Sequence, residues 1–165
     1  FNEHKEKSIE LGNVAYDMMF LVPPSLVTQG KGFDYKAEYL ENGFNLWDGT
    51  NEDIRTNFPV EQTEHRVLQY ESCRGLEAWC TVCIDFDEFI KMKFDTYEHQ
   101  GTIQRDIFDP DEKEIKNYHV FLWSLIPLTR SIDTLIITLK NNESIVAKKL
   151  RELSNNFDDY VYWLD

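Results

Sequence analysis

The chain contains little of what the common catalytic and membrane motifs require. Its seven glycines are scattered, and no glycine-rich phosphate loop is present. No serine stands in a nucleophile elbow, and no two of the four histidines have the spacing of a zinc-binding helix. No apolar run approaches the roughly 18 residues of a membrane-spanning helix. These absences argue against P-loop enzymes, serine hydrolases, zinc proteases and membrane proteins.

Positive charge is also scarce. The 165 residues carry 30 acidic and 17 basic side chains, so the formal net charge is −13. Nucleic acids and anionic membranes are bound by clusters of Lys and Arg, so this balance disfavours both as partners. It favours a basic protein partner, which a negative surface attracts over a long range. An acidic surface that serves only solubility is the plainer alternative.

Cysteine occurs three times, as Cys73, Cys80 and Cys83. This odd count predicts no disulfide framework and favours a reducing, cytoplasmic location. The pattern Trp-Cys-x-x-Cys ending at Cys83 is shared with thioredoxin-type redox sites, but there the first cysteine begins a helix. Here the following residues alternate as in a strand, on which Cys80 and Cys83 face opposite sides. We therefore predict buried thiols that act as small apolar groups.

The hydrophobic pattern predicts a single α+β domain over residues 1–165. Two hairpins are expected, with turns at Asn42-Gly43 and Asp87-Glu88, because apolar and polar residues alternate on both sides of each turn. The β-branched run at 132–139 predicts a further, inner strand. Helical spacing predicts four helices, over residues 3–22, 59–75, 109–126 and 146–164. The expected architecture is a mainly antiparallel sheet with helices packed on one face.

No residue stands out as catalytic or metal-binding. The carboxylates of Asp48, Glu52 and Asp53 share one polar loop, but their spacing is not that of a calcium-binding EF-hand. His119 lies beside a predicted helical stripe, where packing is the usual role. Carboxylate pairs are too numerous among 30 acids to identify a glycosidase. We predict no catalytic residue, no metal and no cofactor.

Acidic residues cluster beside large aromatic side chains in the predicted turns. Aromatic anchors within a charged field are typical of protein interfaces, where rings fill pockets and charge steers the partner. The predicted partner-binding residues lie in loops at the hairpin ends and are Trp47, Asp48, Glu52, Asp53, Asp85, Asp87 and Glu88. The alternative interpretation is that the rings belong to the core and the acids to its rim.

Three stretches have counterparts in one known family. They are "ELGNVAYDMMFLVPP", which ends in proline, and the hairpin-like "FDYKAEYLENGFNLW" and "AWCTVCIDFDEFIKMKFD". In their order and wording they resemble the YezG-type immunity proteins of bacterial polymorphic toxin systems, as far as about Tyr97. Beyond that residue the chain departs from the family. The resemblance implies a small acidic antitoxin that blocks a basic toxin, often a nuclease, by direct contact.

The leading hypothesis is therefore a cytoplasmic, non-enzymatic protein that binds and occludes a basic cognate toxin. A phage or mobile-element protein that mimics nucleic acid and inhibits a host defence enzyme is one alternative. A small hydrolase that uses a carboxylate or His119 is another. A plain structural or adaptor domain is the last.

Overall fold

The structure is a computed structural model that describes residues 18–57, 64–97 and 111–164. The chain divides into two compact units. The first contains the described residues up to Ile84 together with Ile126–Thr138, and the second contains those of Asp85–Leu125 and of 139–165. All the strands in the described ranges belong to the first unit.

The first unit is built on a five-stranded sheet in which every neighbouring pair is parallel. In spatial order the strands are β4 (Leu46–Asp48), β5 (His65–Gln69), β1 (Met18–Val22), β6 (Ala78–Cys83) and β7 (Ser131–Ile137). A separate antiparallel pair joins β2 (Val27–Thr28) to β3 (Gly32–Phe33). The fold is therefore α/β, and the prediction of a mainly antiparallel α+β fold is wrong.

The first predicted hairpin fails because a helix, α1 (Lys36–Glu41), replaces its first strand. A tight primed turn needs a positive φ at both central residues. Here φ is −84° at Asn42 and +87° at Gly43. Gly43 follows a helix end, and its N–H donates to the Leu40 carbonyl at 3.0 Å. Asn-Gly thus ends a helix here, a position that glycine also favours.

The second predicted hairpin fails for a related reason, since α2 (Phe86–Asp95) follows β6 directly. Asp85 ends the extended chain by adopting a φ of +50°. Its carbonyl accepts hydrogen bonds from the Glu88 and Phe89 N–H groups at 3.0 and 3.3 Å. The apolar residues that alternate from Ile84 onward also fit helical spacing, and the helix buries Phe86 and Phe89.

Two of the predicted helices are strands where the structure describes them. Of the helix predicted over 59–75, the structure describes residues 64–75. These contain β5 and a short 3-10 turn, Tyr70–Cys73. The last five residues of the prediction over 3–22 form β1, and the rest lies outside the described residues. A continuous apolar run such as β1 is typical of a parallel strand that is covered on both faces.

The two C-terminal helices are found as α3 (Glu112–Leu128) and α4 (Ile145–Asn156). Because α4 ends at Asn156, the predicted helix is wrong over residues 157–164. Asp111 and Glu114 cap α3 reciprocally, each accepting a hydrogen bond from the other's backbone N–H at 2.7 and 3.3 Å. The predicted start of this helix, at residue 109, lies outside the described residues. No helix in the described ranges is long and apolar enough to cross a bilayer.

The strand predicted from the β-branched run is confirmed as β7, but it lies at the edge of the sheet and not inside it. Ile132 is 63% exposed, as expected for an edge position. Its β-branched composition identified the strand correctly, but composition carries no information about how many neighbours a strand will have.

The core of the first unit lies on one face of β1. The buried side chains there are Met18, Phe20, Val22, Phe33, Leu46, Val67, Cys80 and Val82. Tyr39 from α1 packs on this cluster, with its ring 5.3 Å from that of Phe20 and 5.6 Å from that of Phe33. The edge-to-face contact of Phe20 with Phe44 extends the same aromatic layer.

We expect Phe20→Ala to lower the free energy of unfolding by about 3–5 kcal/mol, because it removes the ring at the centre of this layer and leaves a cavity. Tyr35→Ala is the control, since Tyr35 is 48% exposed. It should cost less than about 1.5 kcal/mol. Urea denaturation measures both values, and equal losses would contradict this description of the core.

Candidate functional site

The three cysteines are buried and form no disulfide, as predicted. Cys80 pairs in register with Met18, and Cys83 pairs with Leu21, so the two thiols face opposite sides of the sheet. Burial raises the pKa of the Cys73 thiol to about 11 and that of Cys83 still further above its usual range. Such thiols stay protonated at neutral pH, and a protonated thiol is a poor nucleophile.

Asp48, a predicted partner-binding residue, is fully buried. Its carboxylate accepts hydrogen bonds from the Phe33 N–H at 3.0 Å and from the Thr50 N–H and hydroxyl at 3.0 and 2.6 Å. A Cβ at Gly32 would overlap this carboxylate, and Gly32 also has a φ of +89°. Asp48 therefore ties β3 to the loop after β4, and it offers no surface to a partner.

The other predicted residues of this region, in and beside the loop after β4, differ in their burial. Trp47 is buried, and its indole N–H donates to the Asn57 carbonyl at 2.6 Å. Glu52 and Asp53 are exposed on the loop between them. Only these two acids of the loop can meet a partner in this conformation, and their role stays a prediction.

The acids at the start of α2 serve mainly to hold the second unit together. Asp87 is buried and accepts hydrogen bonds from the backbone N–H groups of Lys140 and Asn141 at 2.8 and 3.1 Å. Glu88 pairs with the Lys140 ammonium at 2.9 Å. Both carboxylates thus anchor the chain ahead of α4.

Asp85 is also influenced by Lys140, Asp87 and Glu88, but its environment disfavours the negative charge of its carboxyl group. Burial raises the pKa of its carboxyl group, Lys140 opposes that effect, and Glu88 and Asp87 add to it. Its left-handed backbone is a conformation that aspartate and asparagine adopt more readily than most residues. Asp85 is therefore an acid whose charge the folded state disfavours.

Within the described ranges, no group of three or more His, Cys, Asp or Glu side chains could hold a metal ion. His119 packs between aromatic rings, 5.0 Å from Tyr97 and 6.2 Å from Trp123. These ring contacts indicate that His119 has a packing role.

Two arginines converge on one short segment, and the sequence analysis did not identify them. Arg130 immediately precedes β7 and donates to the Leu76 carbonyl at 3.4 Å, while its own carbonyl accepts the Ala78 N–H at 3.0 Å. Arg66, near the start of β5, donates to the Glu77 carbonyl at 2.7 Å. We call Arg66, Arg130 and the segment Leu76–Ala78 the arginine edge, because it lies at the amino ends of β5, β6 and β7.

Arg130 is half-buried, and every acceptor of its guanidinium is a neutral oxygen. Its other two hydrogen bonds run to the Ile126 carbonyl at 2.9 Å and to the Thr129 hydroxyl at 2.8 Å. Among the residues that the structure describes, no carboxylate pairs with it. A sequence signal for this site is hard to recognise, because Arg130 and Leu76 are 54 residues apart.

Comparisons with known proteins give no match: no family model, no curated protein and no solved structure is similar to this chain. The resemblance to YezG-type immunity proteins stays a prediction.

We expect Asp85→Asn to raise the melting temperature slightly at pH 7. The folded state disfavours the charged carboxylate, and asparagine tolerates the same left-handed backbone. The penalty exists where Asp85 is ionised, so the gain should disappear as the pH falls through its raised pKa.

Asp87→Asn is the matched control. It weakens two backbone hydrogen bonds and should lower the melting temperature. Thermal scans from pH 3 to 8 measure both variants. A melting temperature of Asp85→Asn below that of the parent at pH 7 would refute the role assigned to Asp85.

Proposed function

We propose that the arginine edge binds an anionic group of a phosphorylated ligand. One observation carries the proposal: Arg130 is a half-buried cation, and among the described residues its guanidinium contacts only neutral oxygens. Buried charges in proteins are usually paired, because an unpaired charge out of water is costly. An anion from outside the chain would supply the missing partner.

The acidity of the protein makes this lack of a partner informative. The chain has 30 acidic residues, yet none of the described ones lies at Arg130. Three of the five N–H groups of the guanidinium are used, so two remain to donate. The planar fork of arginine matches a phosphate or carboxylate in two-point contact, which a lysine cannot reproduce.

The arginine edge is also held in place before any ligand arrives. Arg66 and Arg130 each bind a backbone carbonyl of Leu76–Ala78, and β6 begins within that segment. A cation fixed in this way loses little conformational entropy on binding.

The position of the arginine edge limits the kind of ligand site. Open α/β sheets usually bind their own ligands at the carboxyl ends of the strands. The arginine edge lies at the amino ends, so it does not coincide with that crevice. An arginine placed there could act on a phosphate group that another domain or chain holds, as arginine fingers do.

A second candidate is the binding of a basic protein, as in an immunity protein that occludes a toxin. The net charge of −13 and the exposed carboxylates of Glu52 and Asp53 favour it. A cytoplasmic location and the absence of enzymatic activity belong to this candidate. The burial of Asp48 and Asp87 leaves it fewer surface carboxylates than the sequence suggests.

For the first candidate, we expect inorganic pyrophosphate to bind the parent protein saturably and to raise its melting temperature. Arg130→Gln removes the cation and should weaken binding at least tenfold. Arg130→Lys keeps the charge but loses the fork, so it should also bind more weakly.

The control for this experiment is Arg151→Gln, since Arg151 stacks 4.4 Å from the Trp163 ring in the other unit. Isothermal titration calorimetry measures the affinities, and circular dichroism checks that each variant is folded. Unchanged affinity in folded Arg130→Gln would refute the proposal, as would an equal loss in Arg151→Gln.

For the second candidate, association with a basic nuclease toxin should slow at least tenfold between about 50 and 500 mM salt. The double variant Glu52→Gln/Asp53→Asn should slow association at low salt, whereas Glu143→Gln, exposed in the other unit, should not. Stopped-flow fluorescence measures these rates. An association rate that is independent of salt would exclude electrostatic steering.

A further inference from the structure

Helix α3 presents an apolar stripe to solvent. Four side chains at the spacing i, i+3, i+4 and i+7 form it, and their exposed fractions are 63% for Tyr118, 54% for Phe121, 45% for Leu122 and 37% for Leu125. This spacing places them on one helical face, where apolar residues are usually buried. We call this set the α3 stripe.

The opposite face of α3 fixes the rotation of the helix within the second unit. The Lys93 ammonium lies 3.8 Å from the centre of the Trp123 ring, and the Lys116 ammonium lies 4.0 Å from that of Phe94. Val120 is buried on that side. The stripe is therefore an outward face of a helix that already has its packing partners.

Acidic residues occupy the amino end of the same face. Asp111 and Glu114 precede Tyr118 by seven and four residues, which are helical repeats, and both are exposed. They cap the helix through each other's backbone N–H groups. Neither carboxylate pairs with a cation in the part of the chain that the structure describes. The face thus combines an apolar surface with a negative end.

We propose that the α3 stripe docks an amphipathic helix of a partner protein, whose lysines or arginines meet Asp111 and Glu114. A helix of that kind covers an apolar stripe with side chains at its own i, i+3, i+4 and i+7 positions. Its basic end then fixes the direction in which it binds. This inference is independent of the arginine edge, which belongs to the other unit.

The charges disfavour the other occupants of an apolar face. An anionic membrane would repel the two carboxylates and the net charge of −13. A second copy that paired in parallel would bring the acidic ends together. An antiparallel copy would set Leu125 against Asp111 and Glu114, which desolvates both carboxylates without a partner.

Two synthetic 18-residue peptides with the same leucine stripe test the proposal, one with four lysines at one end and the other with four glutamates there. Fluorescence anisotropy with the full chain should show the lysine peptide binding at least tenfold more tightly. The double variant Phe121→Ser/Leu122→Ser should lose at least tenfold in affinity. Ile145→Ser, which alters an 81% exposed residue of α4, should bind like the parent.

The double variant Asp111→Asn/Glu114→Gln isolates the charge, because the amides keep acceptors for the capping bonds. It should bind the two peptides with similar affinity. An absence of saturable binding, or equal losses in the stripe and Ile145 variants, would overturn the proposal. So would a concentration-dependent dimer in light scattering that the stripe variant abolishes, since the occupant would then be a second copy. Pyrophosphate binding should be unchanged in all of these variants.

Discussion

The parallel pairing of β1 with β5 on one side and with β6 on the other is the interaction on which the first unit depends. All five residues of β1 are buried, so both faces of the strand need cover. Its register aligns the neighbouring strands, so the amino ends of β5, β6 and β7 lie at the same end of the sheet. The arginine edge exists because of that alignment, since its parts are distant in sequence.

The acidic composition takes on a different meaning once the carboxylates are located. Asp48 and Asp87 are buried and accept backbone hydrogen bonds, so they hold loops in place. Glu88 is paired with Lys140. A net charge counts such groups together with those that face solvent, and it therefore overstates the charge available to a partner. Arg130, which no carboxylate of the described residues pairs with, is the group on which the proposed binding site depends.

The hydrophobic pattern predicted the C-terminal helices but gave two false hairpins, because short segments can fit both a strand and a helix period. The long amphipathic repeats of α3 and α4 correctly indicated two helices, although the second ends at Asn156 and not at the predicted residue 164. The segments at 33–39 and 84–94 satisfy both a period of two and a helical period over their short length. Asn42-Gly43 is equally suited to a hairpin turn and to a helix end. Two such ambiguities were enough to turn a parallel sheet into an antiparallel prediction.

Local chemistry by itself determined the existence of the two C-terminal helices, the burial of the thiols without a disulfide and the acidity of the chain. Each of these follows from residue types and near-neighbour spacing. Only the tertiary structure decided that the sheet is parallel, that Asp48 and Asp87 are internal and that Arg66 and Arg130 converge. These features depend on contacts between residues far apart in the chain, such as Arg130 with Leu76. Such contacts are selected by the packing of the whole unit, which no short stretch of sequence encodes.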